Sequence, residues 1–176
     1  MTSITLRRAG ADDWAAVAAI HAASWRSAYR GIYPDAYLDG EIVEERRAFW
    51  RGALAEMDPE ADAVFVAEEA GAAIGFACLR RHAEAAGPLL DNLHVLPERK
   101  GVGVGLRLLR TAAEWLVARE PGAALQLGVW AQNREARAFY ARLGGRETAT
   151  FEAATAGGGT ALQIRVAWDR AADLLG

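Results

Sequence analysis

The alternation of apolar and polar positions marks both ends of the chain as strands. In Thr160–Trp168, apolar residues recur at Leu162, Ile164, Val166 and Trp168, which is the period of a half-buried strand. Ile4–Arg8 is predicted to be the first strand. Further strands are predicted over residues 63–68, 72–80, 89–96, 125–130 and 146–152.

A helical period separates these strands. Residues 11–29 place apolar side chains at intervals of three and four, and Asp12 is a candidate N-cap. A loop interrupted by glycine and proline leads to a second helical region over 35–55. Two more helices are predicted over 103–118 and 134–143.

The element order is therefore β-α-α-β-β-β-α-β-α-β-β, which predicts an α/β (α+β) fold with a mixed sheet. The strand–helix–strand unit over 89–130 is expected to be parallel, whereas the strands at the two ends are expected to pair antiparallel. Gly157–Gly159 reads as a hairpin turn. Without a long linker or a repeat, we expect residues 1–176 to form a single domain.

Composition limits the function classes. Of the 176 residues, 52% are hydrophobic and 24% charged, a globular balance, and the net charge of −3 argues against nucleic acid as a partner. Cys78 is the single cysteine, so no disulfide is expected within the chain. No stretch resembles a signal peptide or a membrane span, so we expect a soluble cytoplasmic protein that makes no membrane contact.

Candidate chemistry concentrates in residues 97–109. A strand leads into Lys-Gly-Val-Gly-Val-Gly at 100–105, and a helix begins inside this glycine-rich loop. Glycines allow close backbone approach, and the first N–H groups of a helix have no internal partner, so the segment is suited to a phosphate. Arg99 and Lys100 add positive charge.

Three other functions of such a loop fit these residues less well. A glycine-rich turn that only packs the helix on the sheet would order three glycines at a high entropic cost. A Rossmann dinucleotide site is disfavoured, because Leu108 stands three residues after Gly105 and the loop lies beyond mid-chain. A Walker loop needs Gly-Lys-Ser/Thr after the glycines, and that is absent.

The loop resembles the acyl-CoA signature R/Q-x-x-G-x-G/A of the GCN5-related N-acetyltransferase (GNAT) family, with Lys100 standing where Arg or Gln is usual. Asn133, the segment 138–144 and the segment 23–31 also resemble blocks of that family. The resemblance implies a GNAT acyl-CoA N-acyltransferase fold, with a mixed six- to seven-stranded sheet flanked by four helices. Its parallel strands near 89–96 and 124–130 are expected to splay apart.

The resemblance also implies acetyl-CoA as co-substrate, with no metal ion. Backbone groups of Leu93, His94 and Val95 would contact the pantetheine arm, and Asn133 would contact the same arm, cap its helix, or do both. The pyrophosphate would be bound by a run of seven residues: Lys100, Gly101, Val102, Gly103, Val104, Gly105 and Leu106.

Tyr140 occupies the position of the family's general acid, in contact with the cofactor. A phenol with a pKa of about 10 can protonate a departing thiolate, whose thiol has a pKa of about 8.5. The resemblance therefore implies direct attack of a primary amine on acetyl-CoA in a ternary complex. Two alternatives stay open: Tyr140 as an ordinary core aromatic, and the whole chain as a non-catalytic acyl-CoA-binding regulatory module.

The general base is not evident, because Gly128 stands in the slot where many relatives carry Glu. His94 has the residue type suited to a base near neutral pH, and Asp91 could act through water. Strand alternation places Asp91 on the face of Leu93 and His94 on the opposite face. Glu41 and Asp39 remain further alternatives.

The acceptor is expected to be a small-molecule or peptide amine. Trp25, Tyr29 and Tyr33 recur every four residues, followed by Tyr37, and are expected to line the acceptor cleft by analogy with the family. With Asp39 or Glu41 they would suit a cationic amine. The apolar final strand could pair with a second copy and make a homodimer.

Overall fold

A computed structural model describes residues 3–84 and 87–176, with side chains at 3–82 and 87–176. Its strands are β1 (Ile4–Arg8), β2 (Asp62–Glu69), β3 (Ala72–Glu84), β4 (Gly87–Val95), β5 (Leu125–Trp130), β6 (Arg146–Ala154) and β7 (Thr160–Trp168). Its helices are α1 (Trp14–Ala28), α2 (Asp35–Asp39), α3 (Ile42–Glu56), α4 (Val104–Arg119) and α5 (Arg134–Arg142). The predicted element order is confirmed, except that the second predicted helix is two helices, α2 and α3.

The seven strands form one sheet in the order β1-β2-β3-β4-β5-β7-β6. All neighbours pair antiparallel except β4 and β5, which are parallel and joined through α4, as predicted. β7 lies between β5 and β6, so both of its edges are already paired. The expectation that the final strand offers an edge to a second copy is therefore wrong.

Helices cover both faces of the sheet. α4 and α5 pack on one face, where Leu108, Leu109 and Leu116 of α4 are fully buried in a cluster with apolar residues of β2, β3 and β4. α1 and α3 pack on the other face, around Trp50 and Phe76. Full burial of one such side chain stabilises the fold by about 1.5–3 kcal/mol, so these two clusters fix which helix lies on which face.

The helical region over 35–55 is two helices, which makes five α-helices in the described chain instead of four. Gly40 ends α2, because its N–H bonds back to Ala36 and a Cβ there would lie 2.9 Å from the Ala36 carbonyl oxygen. The N-cap of α1 is Asp13 and not Asp12, and the Asp13 carboxylate accepts the Gly10 N–H at 2.7 Å in the preceding turn, not an N–H of α1. Leu162 is exposed at the β7 end, whereas the other three apolar positions of that strand are buried.

The parallel strands β4 and β5 separate almost at once, as the resemblance implied. Leu89 and Gln126 are their one paired position among the described residues. On its other edge β4 follows β3, with a register shift that leaves Asp91 opposite no residue. The β5-facing backbone of β4 beyond Leu89 therefore lacks a strand partner, and a gap opens between the two strands.

Within the described residues, no helix is long and apolar enough to cross a membrane.

Candidate active site

A cleft of about 480 Å³ occupies the gap between β4 and β5. Most of the residues singled out from the sequence line it: Tyr29, Asp91, Leu93, His94, Val95, Lys100, Gly101, Gly103, Val104, Gly105, Leu106, Asn133 and Tyr140. Val102 lies outside the lining and is 63% exposed, and Trp25 and Tyr33 also lie outside it. The structure thus brings the loop, the splayed strand and Tyr140 to one place.

The glycines of the loop meet different structural requirements. Gly101 and Gly103 have φ of 79° and 85°, in the left-handed region that favours glycine, and Gly103 is the N-cap of α4. A Cβ at Gly105 would make only ordinary contacts, 3.8 Å from Val95 and 3.9 Å from Phe139. The fold therefore does not require glycine at 105, whereas close approach of a ligand to the first turn of α4 would.

The cations beside the loop have partners in the chain. Lys100 Nζ lies 3.2 Å from the Glu135 carboxylate, and Arg99 Nε lies 2.8 Å from that of Glu69. Such exposed ion pairs are weak, so either cation can exchange its partner for a phosphate at little cost. The free N–H groups at the start of α4 remain the main anion-binding feature of the loop.

Asn133 caps α5, because its Oδ1 accepts the Ala136 N–H at 3.2 Å. The cap uses only the carbonyl oxygen, so the side-chain NH₂ can still bond to a ligand in the cleft that Asn133 lines. The two sequence interpretations of this residue are therefore compatible.

Tyr140 is both a core aromatic and a cleft residue. Its ring packs edge-on against Trp168, with centroids 6.0 Å apart, and the residue is 8% exposed. Trp168 Nε1 donates to the Leu143 carbonyl at 2.8 Å and so fixes the end of α5 on β7. Burial raises the pKa of the Tyr140 phenol above its usual value of 10, so the hydroxyl keeps its proton at neutral pH.

His94 lies on the α1 side of β4. Ser24 Oγ is 3.0 Å from His94 Nδ1, and the imidazole stacks on His21 with centroids 4.5 Å apart. Burial, reinforced by Lys100 and Arg46, lowers the pKa of His94 to about 3. The expectation that His94 has a pKa suited to a base near neutral pH is wrong, because its surroundings disfavour the imidazolium.

Asp91 lies in the β-bulge of β4, exposed and on the cleft. Leu90 and Leu93 pack in the same cluster although they are three residues apart, so strict alternation does not continue through the bulge. Burial, followed by the Asp91 charge, raises the pKa of Cys78, a residue of the α1-side cluster. Alternation along β4 therefore does not fix the face of Asp91.

The aromatic residues of α1 and the following loop form a cluster with Trp130. Tyr33 contacts Trp25 at 5.0 Å and Trp130 at 5.7 Å between ring centroids, and burial raises the pKa of Tyr33 to about 12. Tyr29 is the member of this cluster that reaches the cleft. The row of aromatics is thus mainly core, with one residue on the site.

Acidic residues near this cluster are not placed to receive an amine in the cleft. Asp39 pairs with Arg30, and that guanidinium lowers the pKa of the Asp39 carboxyl. Neither Asp39 nor Glu41 lines the cleft. A cation already lies over the aromatics, since the Arg46 guanidinium is 4.9 Å from the Trp25 ring.

Gly128 lines the cleft on β5, and the side chain beside it is Gln163 of β7. A Cβ at Gly128 would lie 2.8 Å from both Cδ and Oε1 of Gln163. Sequence reasoning missed Gln163, because its neighbours depend on β7 lying next to β5. The signal available was a polar residue between apolar ones in a clean alternation.

Comparison with known proteins identifies the family to which this cleft and fold belong. The family model described as Acetyltransferase (GNAT) family matches residues 14–145. A 5-NmdU N-acetyltransferase of Pseudomonas phage PaMx11 is 41% identical over 81 residues, which are 46% of this chain and 55% of that protein. The uncharacterized N-acetyltransferase YuaI of Bacillus subtilis (strain 168) is 32% identical over 118 residues, 65% of each chain. This chain thus matches less than two thirds of the length of either relative.

Solved structures share the fold over nearly the whole chain. The PaiA N-acetyltransferase of Thermoplasma acidophilum, crystallised with coenzyme A, has a TM-score of 0.74 and 22% identity, covering 94% of this chain and 99% of that one. YncA of Salmonella typhimurium, solved with acetyl-CoA, has a TM-score of 0.66 and 22% identity, covering 94% and 92%. With the match over residues 14–145, these likenesses show that the chain belongs to the GNAT family of acetyltransferases.

Proposed function

We propose that this protein is an N-acetyltransferase that transfers an acetyl group from acetyl-CoA to a primary amine by direct attack in a ternary complex. The observation that carries the proposal is the meeting of three features in one cleft. These are the unpaired edge of β4, the glycine loop at the start of α4, and the buried phenol of Tyr140. We further propose that residues 1–176 form one domain.

The residues present fit acetyl-CoA. The N–H groups of 103–106 would bind the pyrophosphate, and the space left by the missing Cβ of Gly105 would let it approach. Backbone groups of Leu93, His94 and Val95 would bond to the amide groups of the pantetheine arm, since β5 has moved away there. Similar proteins were crystallised with coenzyme A and with acetyl-CoA.

Tyr140 would act as the general acid. When the amine nitrogen bonds to the thioester carbonyl carbon and the carbon–sulfur bond breaks, Tyr140 would give its proton to the departing sulfur. Its raised pKa keeps that proton available before the step. An N–H of β4 would stabilise the negative charge that develops on the carbonyl oxygen.

Asp91 and His94 would have different roles beside the incoming amine. An amine similar to that of lysine has a pKa of about 10, so one proton must leave before attack. We assign this proton to Asp91, acting through water, because its carboxylate is exposed in the cleft. His94 would act as a neutral hydrogen-bonding group with Ser24.

Aromatic residues form the acceptor side of the cleft. Tyr29 lines the cleft and Trp25 and Tyr33 support it from behind, so a small molecule or a peptide amine would contact an aromatic wall. One relative is named for 5-NmdU, which makes that compound a worthwhile member of a substrate panel.

The test is release of free thiol from acetyl-CoA in the presence of single amines: 5-NmdU, amino-acid amides, peptides, polyamines and aminoglycosides. We expect release above the amine-free rate with at least one class, and an N-acetylated product by mass spectrometry. Saturable binding of CoA without release for any class would instead indicate an acyl-CoA-binding regulatory module.

A further inference from the structure

Gln163 carries a side-chain amide that the fold does not use. Its backbone pairs with Trp130 on β5 and with Phe151 on β6. Residues opposite each other in antiparallel strands share a face, so the amide lies between two aromatic residues. Within residues 3–82 and 87–176, no hydrogen bond or ion pair engages its Oε1 or Nε2, and neither atom is sealed from solvent.

Gly128 makes room for this amide. Any side chain at 128 would start 2.8 Å from Gln163 Cδ and 3.0 Å from Nε2. The amide therefore lies directly against the backbone of β5, at a residue that lines the cleft. Gln163 does not itself line the cleft, and its amide borders the cleft through Gly128, on the strand face that carries Trp130.

The polar neighbours on the same face are already engaged. The Arg165 guanidinium donates to Gln126 Oε1 at 2.5 Å, and Gln126 Nε2 donates to the Gly87 carbonyl at 3.3 Å. The Arg165 guanidinium also lies over the Phe151 ring, 5.7 Å from its centroid. Gln163 thus differs from these neighbours in having both its donor and its acceptor available to a ligand.

We propose that Gln163 binds the acceptor, and that the acceptor carries a planar amide or imide group next to its amine. A carboxamide offers a donor and an acceptor in one plane, which complements another amide or an imide edge. The flanking aromatic residues suit a flat group as well. This inference rests on the proposed N-acetyltransferase function and names the substrate class of that same site.

The experiment compares Gln163→Met with wild type on two acceptors of similar size, glycinamide and propylamine, with acetyl-CoA as donor. Methionine keeps the length of the side chain but loses the neutral hydrogen bonds. We expect the KM for glycinamide to rise about three- to tenfold, with the KM values for propylamine and acetyl-CoA unchanged. Gln132→Met, at an exposed position outside the cleft, is the matched control and should change none of them.

Gly128→Ala tests the placement without altering Gln163. The new Cβ meets only the flexible end of the Gln163 side chain, so the chain should fold while the amide moves away. We expect the same rise in the glycinamide KM. Equal KM values for Gln163→Met and Gln132→Met, or an unchanged KM in Gly128→Ala, would overturn the inference and leave the proposed function standing. So would an equal loss on both amines with a lowered melting temperature, which indicates packing alone. If no amine raised the thiol release of wild type above the amine-free rate, the proposed function would fail, and this inference with it.

Discussion

Tyr140 is the residue whose single oxygen atom the proposed chemistry requires most. Tyr140→Phe removes that oxygen and keeps the ring against Trp168. Loss of a general acid lowers rates by a factor of about 10²–10⁴, so we expect kcat to fall at least a hundredfold while acetyl-CoA binding is kept. Initial rates of thiol release and a CoA titration measure the two quantities.

Tyr37→Phe is the matched control, because its hydroxyl donates to Glu45 and it lies outside the cleft lining. This variant should keep the wild-type kcat. A Tyr140→Phe enzyme that turned over at the wild-type rate would show that the thiolate leaves without this acid, and Tyr140 would then be a core aromatic only.

Asp91 can be tested through the pH dependence that its loss creates. Without a carboxylate to accept the proton, only the amine that is already neutral would react. The rate of Asp91→Asn should therefore rise about tenfold per pH unit up to the amine pKa of about 10, more steeply than that of wild type. Asp12→Asn, at an exposed position away from the cleft, provides the control. Parallel profiles for wild type and Asp91→Asn would assign the proton to another group.

At the scale of elements, the loop before α4 concentrates backbone conformations that favour glycine. Gly103→Ala adds a side chain at φ 85° with no atom within 4 Å, so its effect is conformational and not steric. An L-residue there costs about 1–2 kcal/mol. If the loop relaxes, the Kd for CoA should rise about five- to thirtyfold, and if it keeps its shape the melting temperature should fall instead.

Calorimetry with CoA and thermal unfolding of the same sample separate these outcomes. Gly122→Ala is the control, since Gly122 has no left-handed φ and no atom within 4 Å. Unchanged affinity and unchanged stability in Gly103→Ala would show that the left-handed cap contributes nothing to the loop.

The elements themselves were largely readable from the sequence, and the irregular positions were not. β1, β5 and β7 have the predicted bounds, because apolar runs between turn residues mark strands well. The bulge at Asp91 depends on how β4 pairs with β3, so it cannot be predicted from the sequence of β4 alone. The break at Gly40 was not predictable, because a single glycine inside a helical pattern is also tolerated without a break.

At the scale of the whole molecule, site residues that depend on local backbone conformation were predictable from the sequence. Those that depend on the order of strands in the sheet were not. The loop over 100–105 and Asn133 were identified because a helix start has the same chemistry in any fold. Gln163 was missed because it reaches Gly128 only once β7 lies beside β5. The burial of His94 was missed for a related reason, since α1 brings His21 and Ser24 against it from 70 residues away.

The buried histidine pair makes the stability of the whole molecule sensitive to acid. Burial lowers the pKa of His94 from 6.5 to about 3 and also lowers the pKa of His21. Below pH 6.5 the unfolded chain therefore binds protons at these histidines that the folded chain does not bind. The contribution of His94 to stability is full above pH 6.5 and is lost as the pH falls towards 3, at about 1.4 kcal/mol per pH unit, and the contribution of His21 is lost in the same direction. His94→Asn should flatten the slope of unfolding free energy against pH by that amount between pH 5.5 and about 3.5, measured by urea denaturation. The exposed His82→Asn should keep the wild-type slope, and equal slopes in all three proteins would show that His94 is not held neutral by the fold.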